Sequence, residues 1–394
     1  MDDGWALASA LNGDCHAGVV DRAALDAALR AQGEDFFRRV TEQCPNLFAE
    51  VAYFVSAAQI VQMREVIAAV ERVVGLPGWK VAHSVHLNQE GAHLIEINTN
   101  AGGAFLNALL LESQRNVAMP GAAAADDLEQ VFLGMFRNEW RLERGEAPLQ
   151  TIVIVDESPE SQFLYPEFVL ACRVFERAGI VALIADPGEM QAGSDGLYCA
   201  GRKVDLVYNR LTDFALQQHP GLLAAYQNQQ IVLTPNPPAY ARYADKRNLE
   251  LLTDADGLRS IDADAKDISV LQAGIPQSRV VRSEDAERWW TERKQWFFKP
   301  ATGYGSKGAY RGDKITRRVF SDIMLGDYVA QKVVLPGERS VCIKGDDFPV
   351  PLKADVRCYV YAGEMQLMAA RLFQGQTTNF RTMGGGFAQI RFVG

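Results

Sequence analysis

The sequence predicts an α/β protein built of α+β lobes, and three observations predict it. Thr151-Ile-Val-Ile-Val155, Val181-Ala-Leu-Ile184 and Val204-Asp-Leu-Val-Tyr208 are apolar runs of strand length, with a helical stretch from about Pro159 to Ala178 after the first. That β-α-β order makes a small parallel sheet. The apolar run Trp296-Phe-Phe-Lys299 passes directly into a glycine-rich loop that ends at Gly308. At 394 residues the chain is long enough for two or three cores.

Composition narrows the class. Hydrophobic content of 48% and charged content of 23% are those of an ordinary globular protein. A net charge of −9 argues against a nucleic-acid partner, which leaves a basic stripe on its ligand. No apolar run approaches the ~20 residues needed to cross a bilayer, so no membrane association is expected. The start, Met1-Asp-Asp-Gly4, has no basic segment before an apolar one, and the expected location is the cytoplasm. Six scattered cysteines, without a C-x-x-C pair or zinc spacing, predict reduced, mostly buried thiols. The five dispersed histidines do not form a metal-ligand pattern.

Residues 1–80 read as helical. Asp21 is placed to cap a helix through about Gln32. Ser56-Ala-Ala-Gln59 has the form of a capping box, and Ile60, Met63, Ile67, Val70 and Val74 then recur at helical spacing until Gly75 and Pro77. Residues 81–112 predict two short strands with a turn near Asn88–Gly91, followed by a loop of small residues. A helix is expected over about 123–143, a linker at Arg144–Pro148, and a break at Thr234-Pro-Asn-Pro-Pro238. From about 240, helices and strands alternate up to the glycine loop and an antiparallel end.

The loop is the most informative segment. Lys299 at the strand end is suited to hold phosphate oxygens as a point charge. Gly303, Gly305 and Gly308 would let backbone N–H groups close over a polyphosphate. Gly303-Tyr-Gly-Ser-Lys-Gly308 spells the dinucleotide fingerprint, but the next helix signal begins only near Ile315, so no helix N-terminus follows it. A phosphate loop of the Gly-Lys-Ser/Thr type is excluded because Ala309 follows Gly308. An ordinary flexible hairpin is the structural alternative.

Other segments fall in an informative order. Tyr243-Ala-Asp-Lys246 precedes a helix, and Tyr328-Val-Ala-Gln-Lys-Val-Val334 is a strand followed by Pro336-Gly-Glu338. Then come Lys353-Ala-Asp-Val-Arg357, Ala369-Ala-Arg371 and Thr378-Asn-Phe-Arg381, with glycines at 384–386. Near the other end, Glu96-Ile-Asn98 sits on an apolar strand, where alternate residues share a face, and runs into Thr-Asn-Ala-Gly-Gly103. Carboxylate and amide oxygens are hard ligands suited to Mg²⁺. This series resembles the ATP-grasp ligases, especially glutathione synthetase and, in the Asp-x-Arg stretch, tubulin tyrosine ligase. Those carry Glu-x-Asn near the C-terminal end, whereas this chain carries it ahead of the nucleotide segments. In that respect it is similar to the circularly permuted glutathionylspermidine-synthetase-like proteins. The resemblance covers about 80–110 and 150–394.

The resemblance implies an ATP-grasp fold, circularly permuted, with a small parallel-sheet pre-ATP-grasp domain. The implied division is a helical N-terminal region at 1–80, a permuted C-lobe portion at 81–150 and a parallel α/β domain at 151–240. A nucleotide lobe at 241–335 and the rest of the C-lobe at 336–394 complete it. ATP and Mg²⁺ are the implied cofactors. Lys246 and Lys299 would contact the phosphates, with Gly303, Gly305, Ser306 and Gly308 over them. Gln331, Lys332 and Val333 would meet the adenine edge, and Asp355 matches the acidic position near the ribose. Glu96 and Asn98 would ligate the metal. Arg357 and Arg371, with Asn379 and Arg381 lining the same centre, would hold the transferring phosphoryl group or a carboxylate. Thr99, Asn100, Gly102 and Gly103 would shape the acceptor side.

One departure stands out. The family places an aspartate about a dozen residues before the Glu, and here Ser84 occupies that place, with Asp355, His86 or water as substitutes. Beside the resemblance, Asn209 and Arg210 follow the strand Val204–Tyr208 at its C-terminal end, where α/β sheets bind ligands. Arg210 is the candidate for a substrate carboxylate, with an inter-domain ion pair as the structural alternative.

The implied activity is ATP-dependent carboxylate–amine or carboxylate–thiol ligation through an acyl phosphate, acting on small-molecule or peptide substrates. A small-molecule kinase on the same clamp and a non-catalytic ATP-binding protein remain open. Oligomeric state is not legible.

Overall fold

A computed structural model describes residues 3–76, 85–88, 91–116, 127–303, 307–343 and 348–394. Its largest element is a seven-stranded sheet. The centre is a pair of long antiparallel strands, Val350–Tyr361 and Glu364–Phe373. They are joined at Ala362-Gly363, both with positive φ (50° and 78°), as a tight two-residue hairpin turn demands.

Gly386–Val393 pairs with Glu364–Phe373, and Tyr53–Ser56 runs parallel to it at one edge. On the other side Val350–Tyr361 meets Gly337–Val341 and the hairpin of Val85–Asn88 and Gly91–Leu94. Chain segments distant in sequence therefore share one sheet, as Val85 pairs with Val356 and Tyr53 with Ile390. Residues 1–80 are not helical throughout, because Tyr53–Ser56 is an edge strand. Its four all-buried residues carry no alternation to mark it.

The period of two decides what each face of the central strands does. Leu352, Ala354 and Val356 point into a core with Ile60, Met63, Val66, Ile268 and Leu271 from the helices Ala57–Val74 and Ala265–Gly274. The capping box at Ser56 and Gln59 forms as expected, and Gly75 is the C-cap. Asp21 caps Arg22–Ala31.

On the opposite face Tyr359, Ala369 and Phe387 join a core built from the helices Ala104–Ser113, Leu128–Arg144 and Tyr165–Arg177. Edge-to-face aromatic pairs knit it together: Phe136 lies 5.0 Å from Phe175 and 4.9 Å from Tyr208, centroid to centroid.

Beyond those helices lies a four-stranded parallel sheet in the order Val232–Thr234, Leu206–Asn209, Thr151–Val155, Val181–Ala185. A second four-stranded sheet, antiparallel, carries Trp296–Pro300 between Tyr328–Lys332 and Tyr310–Arg311. Trp296 and Phe298 point into its own small core with Trp289 and Phe320, so Phe297 and Lys299 point the other way.

Arg339 fastens the N-terminal segment to the main sheet. It is fully buried and donates to the carbonyls of Asn12, Asp14, Ala17, Ala52 and Ser340. Nearby, Cys15 and Cys342 form a disulfide with Cα atoms 5.3 Å apart, across 327 residues of sequence. This corrects the expectation of six reduced thiols. Sequence spacing carries no signal for a contact that only the sheet order creates. Cys44, Cys172, Cys199 and Cys358 are free thiols. Among the described residues no helix is long and apolar enough to cross a membrane.

Arg339→Ala should leave several buried carbonyls without a donor and cost about 3 kcal/mol or more of stability. Urea denaturation is the measurement, with a lowered midpoint at unchanged slope expected. A loss below about 1 kcal/mol would show that water replaces the guanidinium.

Candidate functional site

Between the main sheet, the antiparallel sheet and the C-terminal edge of the parallel sheet lies a cavity of about 550 Å³. Its lining follows from the strand alternation. Lys353, Asp355 and Arg357 are the odd positions of Val350–Tyr361, the face turned from the Leu352, Ala354 and Val356 core. Arg371 stands opposite Asp355 in register and binds it through two hydrogen bonds of 2.8 Å, a fork on a carboxylate. Thr378 also donates to Asp355, so both carboxylate oxygens are engaged. Arg357 donates to the Gly102 carbonyl at 2.7 Å, and the Tyr359 hydroxyl donates to the same oxygen at 3.0 Å.

Lys299 is almost wholly buried. Its ammonium donates to the Ile95 carbonyl at 3.0 Å and to Oε1 of Gln331 at 2.8 Å, while Gln331 donates onward to Ser278. Burial lowers its pKa to about 8, with Lys246 adding to the fall and Glu96 opposing it. Lys246 is also buried, and it donates to the Gly303 carbonyl at 2.9 Å. Glu96 is partly buried. Burial alone would raise its pKa, but Lys246, Lys299, the Asn98 amide and Arg371 outweigh it and hold the carboxyl below its ordinary range.

The strand before Glu96 ends at Leu94, which corrects the expectation that Glu96-Ile-Asn98 lies on a strand. Even so, Asn98 Nδ2 donates to Glu96 Oε1 at 3.0 Å, so the two side chains meet.

The cavity brings together many of the residues expected from sequence: Glu96, Asn98, Asn100, Gly102, Arg210, Lys246, Lys299, Gly303, Gln331, Lys332, Val333, Asp355, Arg357 and Arg371 all line it. Others stand elsewhere. Asn379 donates to the Gln374 and Thr377 carbonyls and accepts from the Arg381 amide, which organises its own loop. Arg381 is exposed and outside the lining. Asn209 bonds Pro235 and Leu211 and serves the turn. Thr99 is outside the lining, and its hydroxyl has no hydrogen-bond partner among the described residues. Gly308 is also outside it, with φ of 70°.

Gly103 adopts φ of 100°, and a Cβ there would lie 2.2 Å from the Phe387 ring, so its role is to let the helix Ala104–Ser113 start against the main sheet. Gly305, Ser306 and Ser84, and the side chain of His86, lie outside the described residues.

Sequence reasoning missed Asp156, Lys353 and Thr378 as lining residues, together with Phe163 and Phe380, whose rings stack at 5.2 Å. Asp156 follows the strand Thr151–Val155 as Arg210 follows its neighbour, so the same rule of ligand sites at strand C-termini could have found it.

Nine basic side chains line the cavity (Arg210, Lys246, Lys299, Lys307, Arg311, Lys332, Lys353, Arg357 and Arg371) against three acids, Glu96, Asp156 and Asp355. In a chain of net charge −9, this local excess of positive charge favours anions in the cavity.

No family model matches this chain, and no curated protein matches it in sequence. Solved structures match in shape, and the first of them shows that the chain has a glutathione synthetase-like fold. A glutathione synthetase-like effector from Globodera pallida, in its apo form, superposes with a TM-score of 0.57 at 10% identity. That match covers all of this chain and 98% of the effector. At that identity it is the fold that is shared.

A putative gamma-glutamylcysteine synthetase from Methylobacillus flagellatus gives a TM-score of 0.49 at 12% identity, over 83% of this chain and 86% of that one. The ATP-grasp ligase PsnB, solved with precursor peptide PsnA2 and AMPPNP, gives 0.31 at 15% identity, over 61% and 88%.

Arg371→Met should strand the buried Asp355 carboxylate and destabilise the protein by about 3 kcal/mol. Adding Asp355→Asn should recover part of that loss in a double-mutant cycle followed by thermal denaturation. Strict additivity would show that the two groups do not act as a pair.

Proposed function

We propose that this protein is an ATP-dependent ligase that joins a carboxylate to an amine through an acyl phosphate, releasing ADP and phosphate. The observation that carries it is the convergence of Lys246, Lys299 and Glu96 in a cavity with an excess of basic groups. In this reading Lys246 and Lys299 hold the phosphates. Gln331, Lys332 and Val333 meet the adenine edge, and Arg357 and Arg371 neutralise charge at the transferring phosphoryl group. Gly303, which lines the cavity, brings backbone close to the phosphates.

The donor set suits Mg²⁺: Glu96 is ionised, and Asn98 spends its Nδ2 on Glu96, leaving Oδ1 as a second hard oxygen. Bound there by Glu96 and Asn98, the ion would supply neutralisation of the charge that develops on the phosphates. Asp355 is engaged by Arg371 and Thr378, so its place is to orient Arg371. The position of Glu96 ahead of the nucleotide strands in the chain, yet beside Lys299 in space, supports a circular permutation.

The reaction divides into two steps. A substrate carboxylate oxygen attacks the γ-phosphorus, and the bond to the β-phosphate oxygen breaks. The amine then attacks the acyl carbon, phosphate leaves, and the amine loses its proton. Charge neutralisation and positioning by the lysines and arginines supply the acceleration.

MgATP at about a hundred times its Kd should stabilise the wild type by roughly 2.7 kcal/mol, several degrees in melting temperature. Lys299→Ala should lose that shift while remaining folded. Hydroxylamine should trap a hydroxamate in the wild type and none in Glu96→Ala. Absence of the shift in wild type at millimolar MgATP would overturn the nucleotide site. Turnover without hydroxamate would favour a kinase.

A further inference from the structure

The parallel sheet presents an acid and a base side by side at its carboxyl edge. Val155 and Asn209 are in register on adjacent strands, so the next residues, Asp156 and Arg210, leave the sheet together. The Arg210 amide donates to the Val155 carbonyl at 2.8 Å, which fixes this exit. Both side chains line the cavity, and no hydrogen bond or ion pair joins them.

Arg210 is more than nine-tenths buried. Its Nη1 donates to Asn100 Oδ1 at 2.8 Å, and its Nε has no hydrogen-bond partner. The rings of Tyr208 and Phe168 lie 5.4 and 5.9 Å from its Cζ, which hold the guanidinium plane without neutralising it. Glu167 lies close enough to offset part of the Arg210 charge, but its carboxylate hydrogen-bonds the Phe105 and Leu106 amides at 3.3 and 3.2 Å and makes no hydrogen bond to the guanidinium. A buried guanidinium with an unsatisfied N–H is costly unless a ligand completes it.

Asp156 accepts a hydrogen bond from the Glu157 amide at 2.9 Å, and its remaining lone pairs are free. Burial, with smaller pushes from Glu157 and Asp186, raises its carboxyl to about 6, against the pull of the Glu157 amide and Arg210. It is ionised at neutral pH. Phe163 and Leu164, on the approach to the helix Tyr165–Arg177, supply apolar wall in the same cavity. Gly102 is glycine where a Cβ would fall 2.5 Å from Leu164 and 3.0 Å from Arg210 Nη2.

We propose that this edge is the subsite for a free α-amino acid with an apolar side chain, its carboxylate on the open edge of Arg210 and its ammonium on Asp156. A separated acid and base that do not bond each other complement the two charges of a zwitterion. A simple carboxylate would bring no cation to Asp156, and a simple amine would bring no anion to Arg210. The apolar wall selects the side chain. The inference deepens the ligase reading and rests on it only for the fate of the amino acid, which the ligase would take as its acceptor amine.

The test is calorimetric binding of L-phenylalanine, L-leucine and L-methionine to the full-length protein, with and without MgATP. The half-ligands 3-phenylpropionate and phenethylamine serve as comparators. The wild type should bind one of the amino acids at least about tenfold more tightly than the matching half-ligands. Asp156→Asn should weaken the amino acid about tenfold while leaving 3-phenylpropionate unchanged or tighter. Arg210→Gln should do the converse with phenethylamine.

Failure of all three amino acids to bind the wild type at millimolar concentration would overturn the proposal. So would equal loss of amino acid and half-ligand in Asp156→Asn. Melting curves with MgATP separate the two readings. A nucleotide shift without amino-acid binding removes this subsite and leaves the ligase. Amino-acid binding without a nucleotide shift does the reverse.

Discussion

Asp355 and Arg371 face each other across the two longest strands, and the architecture of the cavity depends on burying that pair without leaving either charge alone. Taking both groups out of water costs several kcal/mol each, about what two well-formed charge-assisted hydrogen bonds and a third from Thr378 return. The pair forms only if the strands hold one register, because a slip of one residue would turn every charged side chain of Val350–Tyr361 into the aliphatic core. The same alternation that places Leu352, Ala354 and Val356 inside therefore places Lys353, Asp355 and Arg357 on the cavity. Packing and chemistry are two faces of one ladder.

Around that pair, charge is distributed against the grain of the molecule. The chain as a whole is acidic, yet this cavity is lined by three times as many basic as acidic side chains. The depressed Lys299 ammonium and the ionised Glu96 are two consequences of one crowding. Desolvation and like charge penalise each added cation, and Glu96 is held charged by its neighbours. An anion entering such a space meets groups already stripped of water, whose interactions are stronger than at an open surface.

Local features read well along the chain. Asp21, Ser56 and Gln59 cap helices because capping is settled within one turn, and the strand Thr151–Val155 is apolar from Ile152 onward because both its faces are covered. Lys299 was legible because it ends an apolar strand just before glycines. Asn379 and Arg381 sit in an apt sequence context, but a loop resolves its own hydrogen bonds first, and these two were taken up by that demand. The short strand Tyr53–Ser56 carried no period of its own and exists because Gly386–Val393 offers it a free edge.

By itself the sequence determined the lengths and faces of the elements, the helix caps, the glycine loop and the kinds of side chain available for a phosphate site. These are local properties, set by periodicity and backbone freedom over a few residues. The tertiary structure alone decided that Glu96 meets Lys299, that Arg339 gathers five carbonyls, that Cys15 pairs with Cys342, and that Asp156 and Arg210 emerge side by side. Each of these depends on which strands become neighbours. That choice is made by the burial of whole faces, and no window along the chain contains it.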